Sequence, residues 1–122
     1  MDHHDPEFLK RAAEARARVR ETPAATVEAQ REAGVAVVDV REAHEHAAGH
    51  VAGAVHVSLD ALAENIAHVL PDKDAPVICY CNGGNRGALG ADTLQRLGYT
   101  NVWSIEGGFR GYQAAGGKVE KK

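Results

Sequence analysis

A short segment, CNGGNRG at residues 81–87, brings together residue types that favour nucleophilic chemistry. Gly83 and Gly84 can adopt positive φ angles without a Cβ clash, which allows several backbone N–H groups to face the inside of a turn. Inward-facing amides at the start of a helix bind anions, and here the anion would be the thiolate of Cys81, the nucleophilic form of cysteine. Arg86 either adds a permanent positive charge beside the turn or folds inward to brace it. A cysteine after a strand can also be a small core residue, but the glycine pair and the arginine favour a reactive thiol.

The elements around this segment must place Cys81 at the end of a strand. Apolar, β-branched runs predict strands at 35–40, 53–58, 76–80 and 101–105. Helical spacing of apolar residues predicts helices that begin at Asp5-Pro6 and others at 26–33, 41–49, 59–70, 86–97 and 107–117. This alternation predicts an α/β fold, an open and mainly parallel sheet of about four or five strands with helices on both faces. Ligands bind beyond the carboxyl ends of such strands, which is where Cys81 falls.

Three sequence blocks occur in a fixed order along the chain. The first, VVDVREAHEHAAGHVAGAVHVSLDAL, contains Asp-x-Arg and then Gly-His-Val-x-Gly-Ala; the second is Cys-x-x-Gly-x-Arg at the predicted turn. The third, LGYTNVWSIEGGFRGYQAAG, contains Leu-Gly-Tyr, Glu-Gly-Gly and a final Ala-Gly. Together the blocks resemble the single-domain rhodanese, or sulfurtransferase homology, domain. We therefore predict a rhodanese domain at residues 23–120 and an N-terminal helical extension at residues 1–22.

The resemblance implies a sulfurtransferase mechanism. Cys81 would take the outer sulfur of a thiosulfate-like or persulfide donor and hold it as a persulfide, and a thiol, cyanide or protein-cysteine acceptor would then remove it in a ping-pong reaction. Backbone amides of the loop would bind the sulfur's charge. The implied substrate-binding residues are Asn82, Gly83, Gly84, Asn85 and Arg86. Because the covalent persulfide carries the sulfur, neither a cofactor nor a metal is expected.

Several positions depart from the common family pattern. Gly87 follows Arg86 where family loops often have a serine, so the helix cap must come from Asn85 or from the backbone. The family often has an aromatic residue at the position of His46 and a tryptophan at that of Tyr112. The loop interior also carries no basic residue, unlike the loops of the family's best thiosulfate users. We therefore expect weak thiosulfate:cyanide activity.

Two pairs near the turn allow alternative interpretations. Asp39 and Arg41 alternate at the end of the first predicted strand, where they either support the Cys81 loop or form a strand-end pair that holds the fold; the second interpretation is favoured. Cys79 lies two residues before Cys81, so an extended strand directs both side chains to the same side. Packing in the core is favoured for Cys79 over a role as a redox partner.

Two other functions compete with sulfur transfer. A phosphatase or arsenate reductase on the same fold places its arginine six positions after the cysteine, whereas Arg86 follows Cys81 by five. The smaller ring suits a single sulfur better than a tetrahedral phosphate. Non-catalytic rhodanese-like modules, which serve in binding or regulation, usually lack the cysteine that this chain retains.

Composition excludes several classes of function. The chain has 122 residues, enough for one domain, and a formal net charge of −3 with no basic patch, so nucleic acid is not an expected partner. It contains neither an apolar run long enough for a membrane span nor the apolar centre of a secretion signal, so we expect a cytoplasmic protein with no membrane partner. Among seven histidines, His46 and His50 have helical spacing, but Gly49 interrupts the helix and no metal site is predicted.

Overall fold

The computed structural model describes residues 5–121 and is built on a parallel sheet. The strands are Arg20–Thr22 (β1), Ala36–Asp39 (β2), His50–Val51 (β3), Val55–His56 (β4), Val77–Tyr80 (β5), Val102–Ile105 (β6) and Val119–Glu120 (β7). The α-helices are Pro6–Arg16 (α1), Val27–Glu32 (α2), Ala43–Ala48 (α3), Leu62–Val69 (α4), Asn85–Arg96 (α5) and Gly108–Ala114 (α6). Short 3₁₀ turns at Ala24–Thr26 and Leu59–Ala61 precede α2 and α4.

The central sheet has five strands in the order β1-β6-β5-β2-β4, and every pairing in it is parallel. The predicted α/β architecture with a parallel sheet is therefore confirmed. The strand predicted at 53–58 is shorter, because only Val55 and His56 pair with β2. Strand β1 was not predicted, since its three residues Arg-Glu-Thr show no apolar alternation, and it pairs with β6 at the sheet edge. The antiparallel pair of β3 and β7 was also not predicted.

Two apolar clusters lie on opposite faces of the sheet. Alternate residues of β5 divide between them: Val77 and Cys79 join Cys81 in the cluster beneath α4 and α5, whereas Ile78 and Tyr80 join the cluster beneath α2 and α6. Burial on both faces explains why β2 and β5 consist of nearly continuous apolar residues. This arrangement fixes the end of β5, and hence Cys81, between two packed layers.

Helix α1 packs along α5. Its buried residues Phe8, Ala12 and Ala15 follow helical spacing and form the contacting face. Strand β1, which lies within the predicted extension of residues 1–22, pairs with the central sheet. The division into an extension and a domain at residues 23–120 stays a prediction. No helix among residues 5–121 is long and apolar enough to cross a membrane.

Candidate active site

Cys81 begins the loop between β5 and α5, and its sulfur accepts a backbone hydrogen bond. The N–H of Gly84 donates to Sγ of Cys81 at 3.1 Å. Gly84 has φ +122°, a conformation that other residues rarely adopt, and it caps α5 through its own carbonyl, which accepts from the N–H of Ala88 at 2.9 Å. The predicted contribution of the backbone to this cap is thus present, and no side chain caps the helix. The turn therefore directs at least one amide onto the thiol.

A cavity of about 180 Å³ adjoins the thiol. Its lining includes Cys81, Gly83, Asn85, Arg86 and Arg110. Only 2% of Cys81 is exposed, and the same residue belongs to the apolar cluster beneath α5. The thiol thus lies between an apolar layer on one side and a polar cavity on the other.

The first turn of α6 holds the carbonyl side of the loop. The N–H of Phe109 donates to the carbonyl oxygen of Cys81 at 2.7 Å, and the N–H of Arg110 donates to that of Asn82 at 3.1 Å. Gly108 makes this approach possible, because its φ is +60° and a Cβ there would lie 2.6 Å from both carbonyl oxygens. These two hydrogen bonds fix the backbone of Cys81 and Asn82 against α6, on the loop whose Gly84 N–H donates to the sulfur.

Arg86 folds inward and pairs with Glu45 of α3. Its Nη1 and Nη2 donate to the two carboxylate oxygens at 2.7 and 3.0 Å. The hydrogen bonds from Arg86 hold the pKa of Glu45 at about 2. Arg86 was expected either to add positive charge beside the turn or to fold inward and support it. In the structure it folds inward, and the carboxylate of Glu45 balances its charge. Sequence reasoning did not identify Glu45, whose capping-box spacing with Glu42 indicates only a helix start.

Asp39 and Arg41 connect β2 to the loop. Nε and Nη2 of Arg41 donate to the two oxygens of Asp39 at 2.9 and 2.7 Å, while Nη1 donates to Oδ1 of Asn82 at 2.9 Å. The amide of Asn82 in turn donates to Oε2 of Glu45 at 2.8 Å. Burial alone would raise the pKa of Asp39, but the hydrogen bonds from Arg41 outweigh it and hold that pKa below its ordinary value. The pair thus makes both a strand-end ion pair and a contact with the loop.

Three histidines pack against this ion pair. The rings of His46 and His50 stack with centroids 3.7 Å apart, and His56 lies 4.9 Å from His46. Nδ1 of His46 is 2.9 Å from Oδ2 of Asp39. Burial lowers the pKa of His46, although the hydrogen bond with Asp39 opposes this. Within residues 5–121 no three His, Cys, Asp or Glu side chains are arranged to hold a metal ion; His3 and His4 lie outside the described residues.

Cys79 differs from Cys81 in its surroundings. It is completely buried in the apolar cluster, and burial raises the pKa of its thiol to about 12. A thiol in this state is almost entirely protonated at neutral pH and reacts slowly with oxidants. The environment of Cys79 therefore favours the core role over the redox role.

Residues 22–115 match the sequence profile of the rhodanese-like domain. The chain belongs to this family. It is 41% identical over 81 residues to the thiosulfate sulfurtransferase GlpE of Pseudomonas entomophila, which covers 66% of this chain and 72% of that protein. Among solved structures it is similar to a protein of unknown function from Rhodopseudomonas palustris, described as a possible tyrosine phosphatase, with a TM-score of 0.83, 29% identity and 93% of each chain covered. It is also similar to a rhodanese with anions from E. coli, with a TM-score of 0.64, 30% identity, and 73% of this chain and 100% of that chain covered.

The two side-chain departures of this rhodanese-like domain are accommodated by local hydrogen bonds. His46, where the family often has an aromatic residue, retains ring stacking through His50 and adds the contact with Asp39. Tyr112, at the position of the family's tryptophan, is buried and donates its hydroxyl to the carbonyl oxygen of Lys118 at 2.6 Å. Neither residue lines the cavity beside Cys81.

Proposed function

We propose that this rhodanese-like domain is a sulfurtransferase that carries a sulfane sulfur as a persulfide on Cys81. The donor is a thiosulfate-like compound or a persulfide, and the acceptor is a thiol, cyanide or a protein cysteine. The observation that carries the proposal is the 3.1 Å hydrogen bond from the N–H of Gly84 to Sγ of Cys81, in a turn that opens onto a polar cavity. The names of relatives such as GlpE of P. entomophila, a thiosulfate sulfurtransferase, support the same activity.

In the first half-reaction the thiolate of Cys81 attacks the outer sulfur of the donor. A new S–S bond forms at Cys81, the S–S bond within thiosulfate breaks, and its electron pair leaves with sulfite. The product is a persulfide anion, whose terminal sulfur extends into the cavity toward the amides of Asn82, Gly83, Gly84, Asn85 and Arg86. Preorganised hydrogen-bond donors stabilise a developing negative charge without having to reorient during the reaction.

In the second half-reaction a thiolate or cyanide attacks the terminal sulfur, and the electron pair of the breaking S–S bond returns to Cys81. The two steps share one covalent intermediate, so steady-state kinetics should be ping-pong. The Asp39–Arg41–Asn82 and Arg86–Glu45 contacts hold the loop from both sides during this cycle. We infer that they position the loop rather than touch the sulfur.

Intact-protein mass spectrometry tests the proposal directly. The protein is incubated separately with thiosulfate, mercaptopyruvate and a persulfide donor, and the gain of one sulfur atom is measured for the wild type, Cys81→Ala and Cys79→Ala. We expect loading of the wild type and Cys79→Ala by at least one donor, removal by cyanide or a thiol, and no loading of Cys81→Ala. No loading of the wild type by any donor, or equal loading of Cys81→Ala, would reject the proposal.

The description of the R. palustris protein makes a phosphatase the second candidate. Phosphate would need the guanidinium of Arg86, but Nη1 and Nη2 already donate to the two carboxylate oxygens of Glu45, so phosphate would have to compete with that carboxylate. Hydrolysis of p-nitrophenyl phosphate, measured for the wild type and Cys81→Ser, decides between the two. Turnover that disappears in Cys81→Ser would favour the phosphatase.

A non-catalytic binding module is the third candidate. The rate of reaction of Cys81 with iodoacetamide near neutral pH separates it from an enzyme. A thiolate-stabilising loop predicts faster reaction than free cysteine, whereas a purely structural cysteine predicts slower reaction.

A further inference from the structure

Two guanidinium groups from outside the loop lie against its glycines. Nη1 of Arg110, on α6, is 3.0 Å from the point where a Cβ on Gly83 would be, and Nη2 of Arg16, on α1, is 2.6 Å from the corresponding point on Gly84. The missing side chains of the two glycines thus make room for two cations. Arg110 also lines the cavity beside Cys81.

Arg16 and Arg110 differ from Arg41 and Arg86 in having no paired carboxylate among the described residues. Arg41 has a carboxylate oxygen of Asp39 at 2.7 Å, and Arg86 has one of Glu45 at the same distance. Within residues 5–121, neither Arg16 nor Arg110 forms a salt bridge, and both side chains are exposed. Arg16 of α1 and Arg110 of α6 therefore place positive charge against the glycines of the loop without a paired carboxylate among the described residues.

We propose that Arg110 forms an oxoanion-binding site at the cavity wall, and that Arg16 adds positive potential from beside Gly84, so that Cys81 selects an anionic sulfur donor. This inference rests on the proposed sulfurtransferase function and narrows its donor to compounds such as thiosulfate, whose sulfonate end carries the charge. The outer sulfur lies at Sγ of Cys81 while the sulfonate oxygens bind Arg110 at the cavity wall. A guanidinium presents two parallel N–H groups to such oxygens.

The same two charges assist the chemical step. Attack by the thiolate breaks the S–S bond of thiosulfate, and the electron pair leaves with the sulfonate group as sulfite, so negative charge grows on the end that faces Arg110. Arg16 contributes over a longer distance through its position on Gly84. Cations from two helices thus offset the lack of basic residues inside the loop. On this proposal, thiosulfate activity is higher than the sequence of the loop alone predicts.

Alkylation of Cys81 by two reagents of different charge tests the site without sulfur transfer. Iodoacetate is an anion and iodoacetamide is neutral, so the ratio of their rates, compared with free cysteine, reports the local potential. The variants are Arg110→Gln, Arg16→Gln and the double variant. Arg11→Gln is the matched control, since it removes the same charge from an exposed position of α1 that borders a different cavity.

We expect the iodoacetate preference to fall by about threefold in each single variant and about tenfold in the double variant at low salt. It should not change in Arg11→Gln, and it should decline with ionic strength in the wild type. Arg110→Lys, which keeps the charge, should retain most of the preference and separates a charge effect from a folding defect. For thiosulfate, kcat/KM should fall in parallel with the alkylation ratio.

The outcomes distinguish this inference from the proposed function. If the alkylation ratio is the same in Arg110→Gln, Arg16→Gln and Arg11→Gln while Cys81 still loads sulfur, the oxoanion site is wrong and the sulfurtransferase stands. If the ratio responds as expected but no donor loads sulfur onto Cys81, the sulfurtransferase is wrong and the anion site stands with another substrate.

Discussion

Glu45 of α3 binds Arg86 of α5 through two hydrogen bonds of 2.7 and 3.0 Å, so a helix distant in sequence holds the catalytic loop of the proposed enzyme closed at its far end. The side chains of Arg86 and Glu45 are 9% and 19% exposed. An ion pair at this depth is costly to break by removing one partner, because the remaining charge stays buried.

The first prediction concerns the loss of this pair. Glu45→Gln leaves Arg86 without a counter-charge, and we expect the free energy of unfolding to fall by about 2 kcal/mol, less than for a fully buried pair because solvent reaches Glu45. Urea denaturation measures the change. Glu64→Gln, at an exposed position of α4, is the control and should unfold like the wild type. Unchanged stability of Glu45→Gln would show that the pair does not hold the loop.

The second prediction concerns acid unfolding. The pKa of Glu45 in the folded protein is about 2, below the ordinary value of 4.5, so the unfolded chain binds the proton more readily. The stability that this group contributes is fully present above pH 4.5 and is lost as the pH falls toward 2. Unfolding free energies across this range should therefore decrease less steeply for Glu45→Gln than for the wild type. If the unfolding free energies of the two proteins fell equally with pH, Glu45 would not have the lowered pKa described above.

The third prediction concerns His46. Burial lowers its pKa below the ordinary value of 6.5, so the unfolded state binds more protons there and stability is lost as the pH falls below 6.5. Thermal melts between neutral and mildly acidic pH should show a smaller loss of Tm for His46→Gln. His68→Gln, at an exposed position of α4, should behave like the wild type. An identical pH dependence of Tm in the wild type, His46→Gln and His68→Gln would show that His46 does not contribute to the loss of stability in mild acid.

The fourth prediction concerns the contact between α6 and the loop. Gly108→Ala places a Cβ 2.6 Å from the carbonyl oxygens of Cys81 and Asn82, so either α6 or the loop must move. We expect alkylation of Cys81 by iodoacetamide to slow by about tenfold or more. The reason is that movement of the loop displaces the N–H of Gly84, which donates a hydrogen bond to the sulfur. Rapid-quench alkylation followed by mass spectrometry measures the rate.

Gly116→Ala is the matched control for backbone strain. Gly116 also has a positive φ, +84°, but nothing lies within 4 Å of its added Cβ. It should cost about 1 kcal/mol of stability while leaving the alkylation rate of Cys81 unchanged. Equal slowing in both variants would mean that general destabilisation, and not the carbonyl contact, controls the thiol.

The sheet, the flanking helices and the position of Cys81 were predictable because they follow from local patterns. The apolar runs of β2 and β5 show burial on both faces, and the glycine pair after Cys81 indicates a tight turn into a helix. Strand β1 was not predictable in this way, because its pairing with β6 at the sheet edge gives Arg20 and Glu21 no apolar requirement.

The partners of the candidate site depend on contacts between distant segments. Glu45 reaches Arg86 across 41 positions of sequence, and nothing near either residue indicates the pairing. Arg16 and Arg110 were missed for the same reason, since helical patterns predict which residues are exposed but not which loop an exposed cation faces. Local sequence therefore indicated the proposed nucleophile, while the charged residues around it could be identified only from the fold.

The position of β1 has a practical consequence for expression of shortened proteins. A fragment designed from the family match alone would begin at residue 22 and would lose α1 and nearly all of β1. Such a fragment would leave the backbone groups of β6 unpaired at a new sheet edge and uncover the surface of α5 that Phe8, Ala12 and Ala15 now bury. We expect that fragment to self-associate and precipitate, and a fragment that keeps α1 and β1 to stay in solution.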